Sequence, residues 1–457
     1  MSKPAGAHSR DRRHPLGWHV GRALDFRAVL CACALAAFAP IPHAVAAAPL
    51  RAGASVDFAK PVHAHSTVGL LHGMDARDPP DRWIAPLAPR SWRGDMESAP
   101  YDRAERFGAR YILVLSDLWG YPGANWYGRQ PPWQDLASWA RFVGDVARAN
   151  RGRSLVWDIW NEPDQPYFWN GTEADFHATY RVAYEVIRQE AGPDAVIAGP
   201  SVSGFRWPWL VGLLEYCRQA DCEVNALSWH ELAGAGVLRA IPDHLLRARR
   251  ALVRNPAFVA VGLRELHVNE SVGRGDALYP GEQLAYLAGL ERGRADAAAR
   301  ACWPDPSGAD NCLRHTLDGL LDWRSSRPRG DWWTTAWYAR GVPSRVAASS
   351  ASPDVVALAA ACSPTRRHAE ILLGEYGVQA QAVTVRVDLR GLGALRFLRG
   401  SRRAALAAFR IVSAGEAPVS PEPLPVRALA IARGSAVATI GLRPHEVVLL
   451  RLSRPER

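Results

Sequence analysis

The 457-residue chain predicts an α/β fold: a (β/α)8 barrel over residues 55–361 and a β-sandwich over 362–457. Three observations carry that reading. Short apolar segments alternate with segments of helical period through roughly the first 360 residues, the rhythm of a parallel sheet with crossover helices. After residue 362 the period changes to two, with Val383, Val385, Val387 and Leu389 interleaved by Thr384, Arg386 and Asp388, as in half-buried strands. The chain is also longer than one hydrophobic core usually serves.

The N-terminus comes first. Arg10, Arg12, Arg13, Arg22 and Arg27 precede an apolar run from Ala28 to Ala39, and small residues surround Ala44–Ala47. That order is a secretory signal, assigned to residues 1–46, and its apolar run is too short to span a bilayer. Arg12-Arg13 leaves a twin-arginine route open. Periplasmic or secreted localisation is expected, with no stable membrane span after signal removal. Cys31 and Cys33 fall inside this segment.

Expected barrel strands are Val68–Leu71, Ser91–Arg93, Tyr111–Leu115, Leu155–Trp160, Ala195–Ala198, Val224–Ser228, Leu266–Asn269 and Val355–Ala360. Between them, Leu136, Trp139, Val143 and Val146 repeat at helical spacing. Thr172 and Asp175 form a capping signature ahead of the stripe Phe176, Tyr180, Tyr184 and Ile187. No glycine-rich phosphate turn supports the rival doubly wound sheet. In an exported chain, Cys217–Cys222 and Cys302–Cys312 are the expected disulfides, leaving Cys362 over. No metal site is expected, because neither pair has a His or Cys partner at zinc spacing.

Composition narrows the class of function. Hydrophobic residues make up 48% and charged residues 22% of the chain, which is ordinary for a globular protein. Trp is in excess, with 18 against 11 Phe, and indole faces suit the apolar faces of sugar rings. The net charge of +10 comes almost entirely from Arg, Lys occurring only at Lys3 and Lys60. A basic surface can draw in an acidic polysaccharide. Nucleic acid is excluded as a partner, since no basic helix or aromatic-basic motif accompanies the charge.

The chemistry concentrates at two strand ends. Trp157-Asp158-Ile159-Trp160-Asn161-Glu162-Pro163 is an apolar, aromatic strand ending in a carboxylate. Leu266-His267-Val268-Asn269-Glu270 ends another, 108 residues later. Glycoside hydrolysis needs two carboxyl groups flanking the scissile bond, one to protonate the leaving oxygen and one to stabilise or attack the anomeric carbon. Period-two alternation puts Asp158, Trp160 and Glu162 on one face, and Leu266, Val268 and Glu270 on one face, favouring Glu270 over Glu265. Catalytic Glu162 and Glu270 are therefore expected, with no cofactor or metal.

Asn161 is a candidate for orienting the acid or binding a sugar 2-hydroxyl. His230 is a candidate for hydrogen-bonding the nucleophile or a sugar, against an ordinary structural role. Arg93, with Arg90 as competitor, is a candidate for holding the Glu270 carboxylate. Asp117, Trp119 and Trp126 fall where a barrel loop lines the cleft. Trp229 and Trp169 are candidate stacking platforms, Glu231 is a lesser carboxylate, and Trp332 and Trp333 are expected to pack a helix.

Trp160-Asn161-Glu162-Pro163 and Asn269-Glu270 resemble the fourth- and seventh-strand signatures of clan A glycoside hydrolases. Within the clan the chain resembles family 39, the group of β-xylosidases, α-L-iduronidases and biofilm-polysaccharide hydrolases, and most of all its bacterial exopolysaccharide-associated members. Pro89–Arg93, Ile112–Asp117, Ala226–His230 and the trailing sandwich match as well. The resemblance covers most of residues 60–457. It implies a TIM barrel, retention of anomeric configuration, Glu162 as acid/base and Glu270 as nucleophile. Two positions depart from the family pattern: Leu232 and Ser271 stand where aromatics are common. The expected function is a retaining, endo-acting hydrolase of a polysaccharide such as a bacterial exopolysaccharide, in possible association with its export complex. The alternatives are an exo-acting β-xylosidase-like enzyme and a silent barrel that only binds polysaccharide.

Overall fold

Eight parallel strands close into a barrel in the computed structural model, which describes residues 50–95, 98–116, 131–232, 234–360, 367–377 and 381–455. These all belong to one unit, Pro49–Arg457. The expected signal segment, Cys362, Asp117, Trp119 and Trp126 lie outside the described residues.

The first strand, β1 (Leu50–Pro61), belongs to a separate sheet. The barrel is β2 (Gly69–Leu70), β3 (Ser91–Gly94), β4 (Arg110–Leu115), β5 (Leu155–Ile159), β6 (Val196–Val202), β7 (Ala226–Glu231), β8 (Glu265–Ser271) and β9 (Ala297–Arg300), in chain order, with β9 pairing β2. The helices are α1 (Asp81–Ile84), α2 (Ser98–Arg106), α3 (Leu136–Ala149), α4 (Glu173–Ala191), α5 (Trp207–Ala220), α6 (Gly234–Ala248), α7 (Pro256–Val259), α8 (Pro280–Gly293) and α9 (Gly330–Gly341). The α4 cap is the expected one: Asp175 N–H donates to Thr172 Oγ1, and the Thr172 N–H donates back to Asp175.

Seven of the eight expected barrel strands are present, and the eighth is elsewhere. Val355–Ala360 pairs antiparallel in the second sheet, and Ala297–Arg300 closes the barrel. Its Ala-Ala-Ala-Arg sequence has no β-branched residue, so period and propensity are silent there. Space explains the composition: a Cβ on Gly69 would stand 1.7 Å from the Ala298 carbonyl oxygen, so the closing seam admits only the smallest side chains.

The second sheet has nine strands in the order β15-β14-β17-β12-β11-β10-β1-β13-β16. They are β10 (Arg345–Ser350), β11 (Val355–Ala360), β12 (His368–Glu375), β13 (Val383–Arg390), β14 (Arg403–Ile411), β15 (Glu422–Ala430), β16 (Ala436–Leu442) and β17 (Val447–Ser453), with β1. The sheet curls so that β15 meets β16 and both halves bury one core, including Val56, Ile371, Val385, Leu406, Ile440 and Leu450. This is the expected sandwich, but with different boundaries. The N-terminal β1 pairs parallel with β13, and β10 and β11 join from the segment assigned to the barrel. A strand that reaches its partner across more than 300 residues leaves no local trace of the pairing.

The outer face of the sheet packs on α8 and α9. Both helices are buried nearly all round, which is why neither has a polar stripe. Trp332 and Trp333 pack there as expected, their indole N–H groups donating to the carbonyls of Trp83 and Val419.

Candidate active site

Both glutamates reach the C-terminal mouth of the barrel, each through an interruption of its strand. β5 is regular only to Ile159. Trp160 (φ 74°) and Glu162 (φ 46°) are left-handed, a conformation that costs a non-glycine residue energy and persists only where surroundings impose it. The Glu162 N–H donates to the carbonyl of Ser201, itself left-handed at φ 51°. This break overturns the expected alternation. Asp158 points into the barrel, whereas Trp160 turns outward, its ring 5.9 Å from Trp139 of α3 and 5.1 Å from Trp169.

On β8 the correction is sharper. Leu266 and Val268 face the helices, while Glu265, His267 and Asn269 face the barrel interior. A register shift opposite β7 pairs Trp229 with Val268 but His230 with Glu270. The extra residue turns Glu270 to the inside. Glu265 sits at the other end of the strand, bound by Arg110 at 2.6 Å and His267 at 2.8 Å, far from the mouth.

His230 Nδ1 stands 2.7 Å from Glu162 and 3.9 Å from Glu270. One oxygen of each glutamate thus lies within 4 Å of the same histidine nitrogen, a closeness that admits the roughly 5–5.5 Å carboxyl separation of retaining glycosidases. Neither acid is sealed in the core, their side chains being 12% and 13% exposed. Both line one cavity of about 370 Å³.

Arg93 is wholly buried beneath them. Its Nε donates to Asp158, its Nη1 to Glu270 and its Nη2 to Asn161, each at 2.8 Å. Asp158 also accepts from Ser201 Oγ at 2.7 Å and Asn269 Nδ2 at 3.0 Å. The fork fixes three side chains from two strands at once. The expected Arg93–Glu270 contact is present, and Asn161 lines the cavity.

Arg93 and His230 do not face a substrate directly, and the hydrogen bond expected from His230 to the nucleophile or a sugar goes instead to Glu162. Both are fully buried and meet the cavity only through the carboxylates and Asn161 that they hold. Trp229 is not a sugar platform. It points outward from β7, wholly buried, its indole N–H donating to Glu231 at 2.7 Å and its ring 5.3 Å from Phe205. Glu231 is buried behind the same wall and also bound to His244. Trp169 is core, packed between Trp133, Trp160 and Phe176.

Other residues do line the cavity. Leu71 and His72 follow β2, Asp95 follows β3, Phe168 follows β5 and Leu232 follows β7. Cys302, Trp303, Cys312 and Leu313 follow β9. Burial pushes the His72 imidazole below its ordinary value, against the pull of Asp95. Trp303 went unrecognised because its strand did. The expected disulfides both form: Cys302–Cys312 in the cavity wall and Cys217–Cys222 behind α5. Among the described residues one cluster of three side chains, Asp75, Asp78 and His315, approaches metal-ligand geometry at the surface.

Residues 123–248 match the family model for glycosyl hydrolases family 39. The fold is shared with solved structures at low identity. Protein N2152 from Neocallimastix frontalis aligns with 18% identity and a TM-score of 0.68, over 89% of this chain and 100% of that one. The GH39 enzyme from Xanthomonas axonopodis pv. citri gives 15% and 0.62, over 91% and 100%. A monomeric β-xylosidase from Caulobacter crescentus gives 14% and 0.60, over 88% and 100%. With paired carboxylates in a barrel mouth and a family model matching across the fourth to sixth barrel strands, the chain is a glycoside hydrolase similar to family 39.

Proposed function

We propose that Glu270 is the nucleophile and Glu162 the acid/base. The observation that carries this assignment is the asymmetry of their partners: Glu270 is bound by the buried guanidinium of Arg93 and Glu162 by a histidine. A carboxylate held by a buried guanidinium has its charge balanced and its oxygens aimed by it. In the first step Glu270 attacks the anomeric carbon, the glycosidic C–O bond breaks, and Glu162 gives its proton to the leaving oxygen. In the second, Glu162 takes a proton from water, whose oxygen displaces Glu270 from the same carbon. Asn161, held by Arg93, would bind the sugar 2-hydroxyl, a reading its position in the cavity wall supports.

Azide rescue tests the roles. Activity of Glu162→Ala on an aryl glycoside should return with azide as a glycosyl azide of retained configuration, and that of Glu270→Ala as the inverted azide. The same product from both variants overturns the assignment.

The finer proposal is a bacterial exopolysaccharide cut internally by an exported enzyme, acting alongside the polymer's export assembly. The family likeness supports the substrate, and two local disulfides support export to an oxidising compartment. Among the described residues no helix is long and apolar enough to cross a membrane. A second reading, exo action of the β-xylosidase kind, is favoured by the cavity, which lies near the lower end of the roughly 300–1,000 Å³ of small-ligand sites. Rapid loss of polymer viscosity ahead of free sugar supports internal cleavage; monosaccharide from the first minutes supports the second reading.

A further inference from the structure

Residues 381–457 hold 13 Arg against 5 Asp or Glu, so one sixth of the chain carries eight of its ten net positive charges. At one end of the sandwich this excess is spatially ordered. Between β13 and β14 the chain makes two 3₁₀ turns, Leu392–Ala394 and Arg396–Leu398. Leu392, Leu395 and Leu398 are buried at spacing three, while Arg396, Arg399 and Arg402 are exposed at the same spacing. In a 3₁₀ turn side chains three apart eclipse one another, with a rise of about 2 Å per residue. The leucines of the two turns, joined through the extended Leu395, are buried against the sandwich core, and Arg396, Arg399 and Arg402 line the exposed side of the same segment.

Three more arginines border the row. Arg390 ends β13 and Arg403 begins β14. Arg433 sits in the β15–β16 hairpin, which is tied to the loop by Leu392 N–H to Gly434 O at 3.0 Å and Ile431 N–H to Arg402 O at 2.8 Å. All six are exposed. Among the described residues none of the six has an acidic partner. The nearest acids in register are engaged, Asp57 with Lys60 and Asp388 with Arg386.

We propose that this arginine row is a second glycan-binding surface, which holds an acidic polysaccharide by its carboxylate or sulfate groups. Six guanidinium forks on one loop and its bonded hairpin suit bidentate contacts to a linear polyanion. Phe397 is packed toward the core and offers no stacking face to nucleic-acid bases. The ledge exposes no large apolar side chain to enter a bilayer. The choice of glycan among polyanions rests on the enzyme's proposed substrate class; the anion site itself does not.

The test uses the full chain carrying Glu270→Gln, so that polymers stay intact. Probes are polygalacturonate, neutral dextran, phosphatidylglycerol vesicles and a single-stranded oligonucleotide, titrated at 50 and 300 mM NaCl. Polygalacturonate should bind and dextran should not. Binding should weaken at the higher salt, and the added change Arg396→Ser/Arg399→Ser/Arg402→Ser should weaken it at least tenfold without moving Tm. Replacing the same three by Lys should restore part of the affinity. Unchanged binding in the Ser variant, no binding of polygalacturonate, equal binding of dextran, or tighter binding of vesicles or oligonucleotide each overturns the proposal. Loss of the Glu162 and Glu270 roles in the azide experiment would leave these affinities as they are, so the two failures are distinguishable.

Discussion

The two strand ends that carry the glutamates solve one problem in different ways. A regular parallel strand points alternate residues inward and outward, and both Glu162 and Glu270 fall on the wrong parity or beyond the strand. β5 turns its glutamate inward with left-handed residues, locked by the Glu162 N–H to Ser201 O bond. β8 does so with an inserted residue opposite β7. The floor beneath them differs too. Glu270 shares Arg93 with Asp158, two carboxylates on one guanidinium, whereas Glu162 leans on His230. Identical side chains thus stand in different settings, and the proposed division into nucleophile and acid rests on that difference.

Substituting the glutamates should expose that inequality most strongly. Glu270→Gln removes the nucleophile for every substrate, and the expected loss of kcat is on the order of 10⁵-fold or more. Glu162→Gln removes only proton transfer, worth about 10²–10⁴-fold, so its cost should shrink on aryl glycosides with acidic leaving groups. Rates on 4-nitrophenyl and 2,4-dinitrophenyl glycosides would separate the two. If Glu270→Gln instead recovers on the better leaving group, the comparison is inverted.

Arg93→Lys comes next. It keeps the charge but loses the fork that serves Asp158, Glu270 and Asn161 together, and a displacement of about 1 Å at a catalytic group can cost 10²-fold. A loss of roughly that size in kcat is expected, with little change in KM. A variant that keeps full kcat would show that the fork does not aim the nucleophile.

Much of this was legible in the sequence, for identifiable reasons. Seven strands announced themselves as apolar runs, and both glutamates as strand ends. Arg93 was a candidate because a carboxylate needing to stay ionised needs a cation. What failed was whatever depends on geometry the chain adopts only after closure. Parity along Leu266, Val268 and Glu270 selected the residue that reaches the cavity, for a reason the bulge overturns. Trp229, a candidate platform in the sequence, faces the helices. Ala297–Arg300 carries no strand signal because its job is to be small beside Gly69, and with it Trp303 and the cavity wall were lost. Asp158 lies inside the most informative motif of the chain, yet its role needs Arg93, 65 residues away.

The smallest expected effect tests the charge asymmetry through a buried neighbour. Asp318 lies in a turn of three successive left-handed residues, Leu317, Asp318 and Gly319, and accepts the Leu71 N–H at 2.6 Å. Burial pushes its carboxyl up to about 7; the Leu71 hydrogen bond and Arg300 oppose the rise, and the Glu270 charge adds to it. Because the folded pKa exceeds the ordinary 3.8, the stability Asp318 contributes is complete below about pH 4 and is lost as pH climbs to about 7. Asn keeps an acceptor for Leu71 and does not titrate. The Tm of Asp318→Asn relative to wild type should therefore rise between pH 5 and 8, by a few degrees at most for a chain of this size. Glu270→Gln should shrink that pH-dependent difference by removing a charge that raises Asp318, and Glu162→Gln should leave it alone. An equal response to both glutamate variants would mean that the two carboxylates load the barrel floor alike, and the distinction between their settings would lose its electrostatic basis.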